Sequence, residues 1–324
     1  MSLDAARRAI ENAEIVTPIT KSEATCPRLK AFGLADFLSL DIPEREFVVE
    51  PIIPAQGLAM LFAPRGVGKT HVALGIAYAA ACGSSFLRWK APKARRVLLI
   101  DGEMPARAMQ ERLAAIVRAN SDEPADPDNF RIITPDLQDG VMPDIGTPEG
   151  QRDLEPWLDG VDLVILDNLS TLSGVKEGEA DDWLRVQRWL LDLRRRGHSV
   201  LLIHHAGKNG SQRGTSRRED VLDTVLNLKR PDDYSTDDGA RFHVHYEKAR
   251  GFFGDDAKPF EAKLMSTNDE MTWTTADLQE VDMQRVINLT NEGMVVRDIA
   301  EETGFSKSKV NRLQTKAREG GFLS

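Results

Sequence analysis

Four short apolar runs stand out along the middle of the chain: Leu58 to Phe62, Arg96 to Asp101, Val161 to Asp167 and Ser199 to His204. Each is too short for a core helix and is bounded by glycine, proline or charge, which predicts strands buried on both faces. Phe130 to Thr134 reads as a shorter strand of the same kind. The stretches between them carry helical spacing. Gly68 to about Cys82 predicts an amphipathic helix, and Met109, Leu113 and Ile116 line another after Pro105, whose fixed φ suits a first helical turn. Gly150 to Leu158 supplies a third, and Ala180 to Arg196 a long fourth with Trp183, Val186, Leu190 and Leu193 on one stripe. This alternation predicts an α/β fold with a mostly parallel central sheet covered on both faces.

The pattern changes after residue 206. Residues 207 to 220 are polar, glycine-bearing and basic, and then shorter strands are expected at 221–228, 240–248 and 258–265 as an antiparallel extension of the sheet. A boundary falls near 276–282. Beyond it Val286, Ile287 and Leu289, then Val295, Val296 and Ile299, then Val310 and Leu313 mark three helical stretches. Gly304-Phe305-Ser306 breaks the second from the third, and Ser306 is placed to cap the third, the layout of a small helix-turn-helix. At the other end, prolines 18, 27 and 43 punctuate an arm whose one compact apolar segment is Phe32 to Leu40. Such an arm could pack on a neighbouring subunit or strap its own domain. The expected division is an arm over 1–45, an α/β domain over 46–276 and the helix-turn-helix over 277–324.

Composition narrows the function. Apolar residues at 41% and charged residues at 29% of 324 describe an ordinary globular chain, and no apolar run approaches the ~20 residues of a membrane span. Met1 to Glu14 mixes both charges and lacks the apolar core of a secretory signal. Cys26 and Cys82 are too few for a disulfide framework, so a reducing cytoplasm is the expected setting. The net charge of −9 argues against a protein that coats nucleic acid with its whole surface, yet leaves room for a local basic channel. From Gly304 onward, five Lys/Arg at 307, 309, 312, 316 and 318 face one acid, Glu319. That basic helix suits phosphates and groove edges of double-stranded DNA, or else a protein-interaction lid such as a replication partner would meet.

The chemistry concentrates after the first strand. Ala63-Pro64-Arg65-Gly66-Val67-Gly68-Lys69-Thr70, followed by His71, has the spacing of a phosphate-binding loop. Gly66 and Gly68 let main-chain N–H groups curl around an oxyanion where a Cβ would obstruct, and the start of the following helix favours the same anion. Lys69 can reach the β- and γ-phosphates of ATP, and the Thr70 hydroxyl can ligate Mg²⁺. The usual pattern begins with glycine; Ala63 is the mildest departure from it. Asp167 ends a strand where a carboxylate can hold the Mg²⁺ shell, whereas Asp162 precedes the apolar run and is expected at the surface. Glu103 follows a strand expected to neighbour the loop strand and could polarise an attacking water; Asp101, two residues earlier on the same face, is the alternative, and either could instead cap the next helix. His204 and His205 face opposite sides of their strand, so only one can sit near a γ-phosphate, and neither pairs with the other on a metal. Lys248 and Arg250 leave a strand before Gly251 and could reach a neighbour's γ-phosphate in trans, or simply end a solvated hairpin. Arg194 to Arg196 need only a helix C-terminus, and Trp157, Trp183 and Trp189 are assigned to packing.

Taken in order, Ala-Pro-Arg-Gly-Val-Gly-Lys-Thr, Leu-Ile-Asp-Gly-Glu-Met, Leu-Val-Ile-Leu-Asp-Asn-Leu, Leu-Leu-Ile-His-His and Glu-Lys-Ala-Arg-Gly resemble the RecA/DnaB superfamily, and most closely the RepA-type hexameric helicases of plasmids and mobile elements, over roughly residues 45 to 268. The resemblance implies a RecA-like P-loop ATPase assembled as a hexameric ring, with ATP and Mg²⁺ at subunit interfaces. It implies Lys69 and Thr70 on phosphate and metal, Glu103 on the water, Asp167 in the metal shell and His205 as sensor. Lys248 and Arg250 would come from the adjacent copy, and the 207–218 loop would face single-stranded DNA in a central channel. Ala63 and the C-terminal helices depart from the family pattern. The rival reading is an ATP-switched DNA-binding regulator of a mobile element, without helicase activity.

Overall fold

The computed structural model describes residues 30–174, 180–206, 220–267 and 270–323. The chain divides into two compact units, Met1–Glu44 and Arg45–Ser324. Among the described residues of the first lies α1, a short helix, Leu34–Leu38.

The second unit is built on a nine-stranded sheet. After a small β1–β2 pair (Phe47–Val49, Ile53–Pro54), the loop strand β3 (Leu58–Ala63) leads into α2 (Lys69–Cys82). A second small pair follows, β4 (Ser85–Phe86) with β5 (Trp89–Lys90). Then come β6 (Val97–Asp101), α3 (Ala106–Ala119), β7 (Phe130–Ile133), α4 (Pro148–Leu158), β8 (Leu163–Asp167), the one-turn α5 (Leu169–Leu172), α6 (Ala180–Arg195) and β9 (Ser199–His205). The remaining strands are β10 (Thr224–Lys229), β11 (Arg241–Ala249), β12 (Phe260–Thr267) and β13 (Glu270–Asp277). Three helices close the chain: α7 (Leu278–Asn291), α8 (Val296–Thr303) and α9 (Lys307–Glu319).

Strand order is β13-β12-β11-β10-β3-β9-β8-β6-β7. From β10 to β7 every neighbouring pair is parallel. The α/β fold with a mostly parallel central sheet is therefore present. Three details of the sheet differ from the sequence-based expectation. The strand near 221–228 is parallel to β3, so the antiparallel extension starts only at β11. A fourth late strand, β13, lies where a domain boundary was placed; its Thr-Trp-Thr-Thr run is too polar to advertise a sheet by apolarity, and pairing with β12 forms it. The strand before Glu103 is not a neighbour of the loop strand: β9 and β8 lie between β6 and β3, because the crossovers place strands out of chain order.

Alternate residues of β3 feed two cores. Ala59, Leu61 and Ala63 pack with α2, while Leu58, Met60 and Phe62 pack with α4 and α6. The expected amphipathic α2 is instead buried nearly all round from Val72 to Ala81. Such a helix needs apolar neighbours on every side, and the β4–β5 hairpin supplies the outer one. A Cβ on Gly75 would lie inside the Phe86 ring, so that glycine lets the hairpin close on the helix. Trp183 and Trp189 are buried as expected, but Trp157 is exposed because its side of α4 faces away from the sheet. Among the described residues no helix is long and apolar enough to cross a membrane.

At the end of the sheet where β3 begins, Asp223 is almost wholly buried and accepts both guanidinium nitrogens of Arg45 at 3.1 Å and the Leu58 N–H at 3.0 Å. The same guanidinium donates to the Ala55 and Gln56 carbonyls. Burial opposes ionisation of Asp223, but Arg45 and the Leu58 N–H outweigh it and hold its carboxyl below the usual range. A depressed carboxyl stabilises the fold at neutral pH, and that contribution is lost as pH falls through the folded value, below 3.8. We expect Arg45→Met, which strands a buried carboxylate, to cost about 2 kcal/mol in urea unfolding at pH 7, with the deficit shrinking toward pH 3. A deficit that stays constant with pH would contradict this role for the pair.

Candidate functional site

Parallel strands end together, and here three of four adjacent ends carry polar residues while the fourth leads into the glycine-bearing loop. In register, Ala63 of β3 lies beside His205 of β9, and Asp101 of β6 beside Asp167 of β8. The carboxyl edge of an open parallel sheet is where the loops leave a crevice. That crevice is a cavity of about 610 Å³, lined by Arg65 to His71, Asp101, Glu103, Asp167, Asn168 and His205 among others.

The loop from Ala63 to Thr70 adopts a conformation that depends on its glycines. Gly66 and Gly68 have φ of 74° and 121°, a region that L side chains avoid. A Cβ on Gly68 would also press on the Phe242 ring at 3.1 Å. No side chain caps α2, so its first N–H groups are left for a ligand. Lys69 is buried, and its ammonium donates to the Ala63 and Pro64 carbonyls, each at 3.0 Å. Burial lowers its pKa, partly offset by Asp167 and Glu103. Ala63 fits at the head of the loop because its methyl group is fully buried in the core while its carbonyl stays free to accept Lys69 and the Ala206 N–H.

Asp167 faces Lys69 from β8. Burial, with the like charge of Asp101 added, pushes its carboxyl up to about 7, while a hydrogen bond with the Thr70 hydroxyl and the charge of Lys69 work the other way. One carboxylate oxygen, Oδ2, is buried without a hydrogen-bond partner. An orphaned carboxylate oxygen beside a hydroxyl and a phosphate cradle fits Mg²⁺, which takes one or two protein oxygens and completes its shell with phosphate and water. Among the described residues no group of three or more His, Cys, Asp or Glu could hold a metal by itself.

Asp101 and Glu103 separate in role. Asp101 is buried, and its Oδ1 accepts the Glu103 and Met104 N–H groups, so it shapes the turn after β6. Glu103 is exposed to the cavity, with His205 Nε2 at 3.6 Å from its Oε2. Burial, then Lys69, lowers the His205 pKa. His204 is buried, lies in register with Phe62 and faces the opposite side of β9 from His205, outside the cavity lining. His71 lines the cavity wall, its pKa pushed down to about 4 by burial, with Arg112 adding to the effect.

Two residues the motif reading passed over complete the site. Asn168 is buried; its Nδ2 donates to Glu103 Oε2 at 2.5 Å, and its Oδ1 accepts the Ser170 and Thr171 N–H groups. The amide is thus fixed at one end and holds the glutamate at the other. Its sequence signal was the Asn directly after Asp167, present in a quoted motif but given no task. Arg230, from the end of β10, donates to the Gly66 carbonyl at 3.1 Å. The β10–β11 connection it begins brings Gly239 and Ala240 to the cavity, and Arg241, paired with Asp233, Asp238 and Glu261, ties that connection down.

Lys248 and Arg250 are not in this cavity. Ala249 pairs with Thr224, and Thr224 with Ala59, which puts both cations at the end of the sheet where β3 begins, away from the loop that follows Ala63. There the Arg250 N–H donates to the Asp223 carbonyl and the Lys248 ammonium to the Asp220 carbonyl. The 207–218 loop assigned to single-stranded DNA lies outside the described residues.

A family model described as AAA domain matches residues 23–211, more than half of the chain. No curated protein sequence matches. Among solved structures, a KaiC-like protein from the hyperthermophilic archaeon Pyrococcus horikoshii OT3 aligns with a TM-score of 0.47 at 14% identity, over 70% of this chain and 93% of that one.

If Asn168 holds Glu103 in place, Asn168→Ala should slow ATP turnover by about tenfold and leave nucleotide affinity within about twofold. Single-turnover hydrolysis and nucleotide titration separate the two. Equal loss in both would make Asn168 a purely structural residue.

Proposed function

The chain belongs to the AAA domain family, a P-loop ATPase of RecA-like fold, and from that premise we propose a ring-forming, ATP-driven helicase or translocase on single-stranded DNA, of the RepA type that serves plasmids and mobile elements. In this reading the 63–71 segment cradles the triphosphate, and Lys69 binds the β- and γ-phosphates. Thr70 and Asp167 would hold Mg²⁺, which, when bound, neutralises charge on the phosphates. Glu103 orients and polarises the attacking water, with Asn168 fixing its carboxylate. His205, within ion-pair distance of Glu103, reports whether a γ-phosphate is present.

One observation carries the ring. Lys248 and Arg250 leave the sheet at the end opposite their own cradle. They cannot complete the pocket of the chain that carries them, but a head-to-tail neighbour presents that end to the next cradle. Cations supplied in this way stabilise the charge developing on a transferred phosphoryl group. The 207–218 segment, basic and glycine-bearing, supplies the DNA contact in this reading.

Two expected outcomes follow. Lys69→Ala loses both nucleotide binding and turnover, whereas Glu103→Gln keeps binding and loses turnover by roughly 10²–10³-fold; parallel loss of binding in both variants contradicts the water-activating role. Single-stranded DNA should raise the ATPase rate about tenfold or more at low salt, with the protein sizing as a closed oligomer when a nonhydrolysable nucleotide is present. A monomer whose turnover ignores single-stranded DNA at every salt concentration contradicts the motor.

A further inference from the structure

The three C-terminal helices carry a surface that ATP chemistry does not use. Val286, Ile299, Val310 and Leu313 form their own apolar core, with Met283, Leu289 and Phe305 packed against it. Gly304, at φ 70°, ends α8, and the Ser306 hydroxyl accepts the Lys309 N–H to start α9 after a three-residue turn. On α9 the buried side is Val310, Leu313, Gln314 and Ala317, and Gln314 Nε2 donates to the Thr290 hydroxyl of α7 at 2.8 Å. One face of the helix is therefore fixed, and the other is presented.

The presented face is unusual in what it lacks. Ser308, Asn311, Arg312, Thr315 and Lys316 follow each other at helical spacing, and all are exposed. Within the described residues none of their side chains makes a hydrogen bond or ion pair with the rest of the protein. The acids of this region, Glu280, Asp282, Glu292, Asp298, Glu301 and Glu302, belong to α7, α8 and their connection, and α9 holds only the terminal Glu319. The exposed side of α9 itself carries cations and hydroxyl and amide groups but no acid before Glu319, while Glu280 and Asp282 of α7 line a groove with Lys309, Arg312 and Lys316 at its edge. The one basic residue that is tied down is Lys309, ion-paired with Asp282 at 2.6 Å and seated over the Phe305 ring at 3.6 Å. It serves the packing of α9 on its neighbours, which removes it from the five cations that sequence reading grouped together.

We infer that this face reads the sequence of double-stranded DNA in the major groove. Arg312 has the planar fork that pairs with guanine O6 and N7, Asn311 the amide that pairs with adenine N6 and N7, and Ser308 and Thr315 adapt to either. Lys307, Lys316 and Arg318 flank them as phosphate contacts that set register. At 13 residues, α9 is about 20 Å long, enough to lie in a groove about 12 Å wide. Double-stranded RNA is a poorer fit, because its major groove is too narrow for a helix. Single strands are a poorer fit as well, since the face carries no aromatic side chain on which an unpaired base would stack. The inference does not rest on the motor reading: a protein without strand-driven turnover could still hold a duplex here, and a motor could lack this contact.

The test is selection from a randomised duplex library with the full-length protein at physiological salt. The expected result is an enriched sequence bound at least a hundredfold tighter than unrelated duplex. Arg312→Ala and the charge-preserving Arg312→Lys should each relax preference at one base pair, by about ten- to a hundredfold, while the ATPase rate stays at the parent level. Lys316→Ala should weaken selected and unrelated duplexes alike and reduce the salt slope by about one. The inference is overturned if no sequence is enriched, if the separated strands compete as well as the duplex, or if both Arg312 variants leave the enriched sequence unchanged.

Discussion

A lysine ammonium buried at the edge of a sheet demands compensation, and among the described residues Lys69 finds it in two main-chain carbonyls and the field of nearby acids. Asp167 has a carboxyl driven up by desolvation and an oxygen without a partner. Asp101 and Glu103 sit one strand further on, with the first spent on shaping its turn and the second left to face the cavity. A polyphosphate with a divalent cation would satisfy these groups together, the anion at Lys69 and the helix N-terminus and the cation at Asp167 and Thr70.

The same sheet that collects these groups at one end holds Lys248 and Arg250 at the other. The parallel strands fix that separation, because Ala249, Thr224 and Ala59 share a register and Ala63 lies at the far end of β3. The Arg45–Asp223 clamp ties the first residue of β3 and the segment before β10 together beside Arg250, so the cation leaves from an anchored position. In the proposed ring, a head-to-tail neighbour would bring the Lys248–Arg250 end of one copy to the cradle of the next. This is the physical content of the ring proposal.

Much of this could be read from the chain because its signals are local. The apolar runs gave the buried strands, and Gly66, Gly68, Lys69 and Thr70 sit within one turn of each other, where spacing alone defines the cradle. What escaped reading is what depends on partners distant in sequence. The place of β6 in the sheet follows from crossovers, so Glu103 reaches the cavity from three strands away and not from next door. β13 is polar and exists through its pairing with β12. Arg230 meets Gly66 across 164 positions of chain, and Asn168 gains its task only when β8 and β6 are adjacent. Trp157 looks like core by residue type and is exposed, since residue type does not say which side of α4 faces the sheet.

The central claim is that each active site is shared by two copies. Mixing Lys69→Ala protein with Arg250→Ala protein tests it most directly, because a hybrid seam pairs an intact cradle from one variant with an intact Arg250 from the other. The account predicts that each variant alone is inactive and that an equimolar mixture recovers roughly a quarter of parental ATPase, the share of such seams under random assembly. Mixtures that stay inactive, although both variants assemble together and the Arg250→Ala copies bind nucleotide, would contradict it.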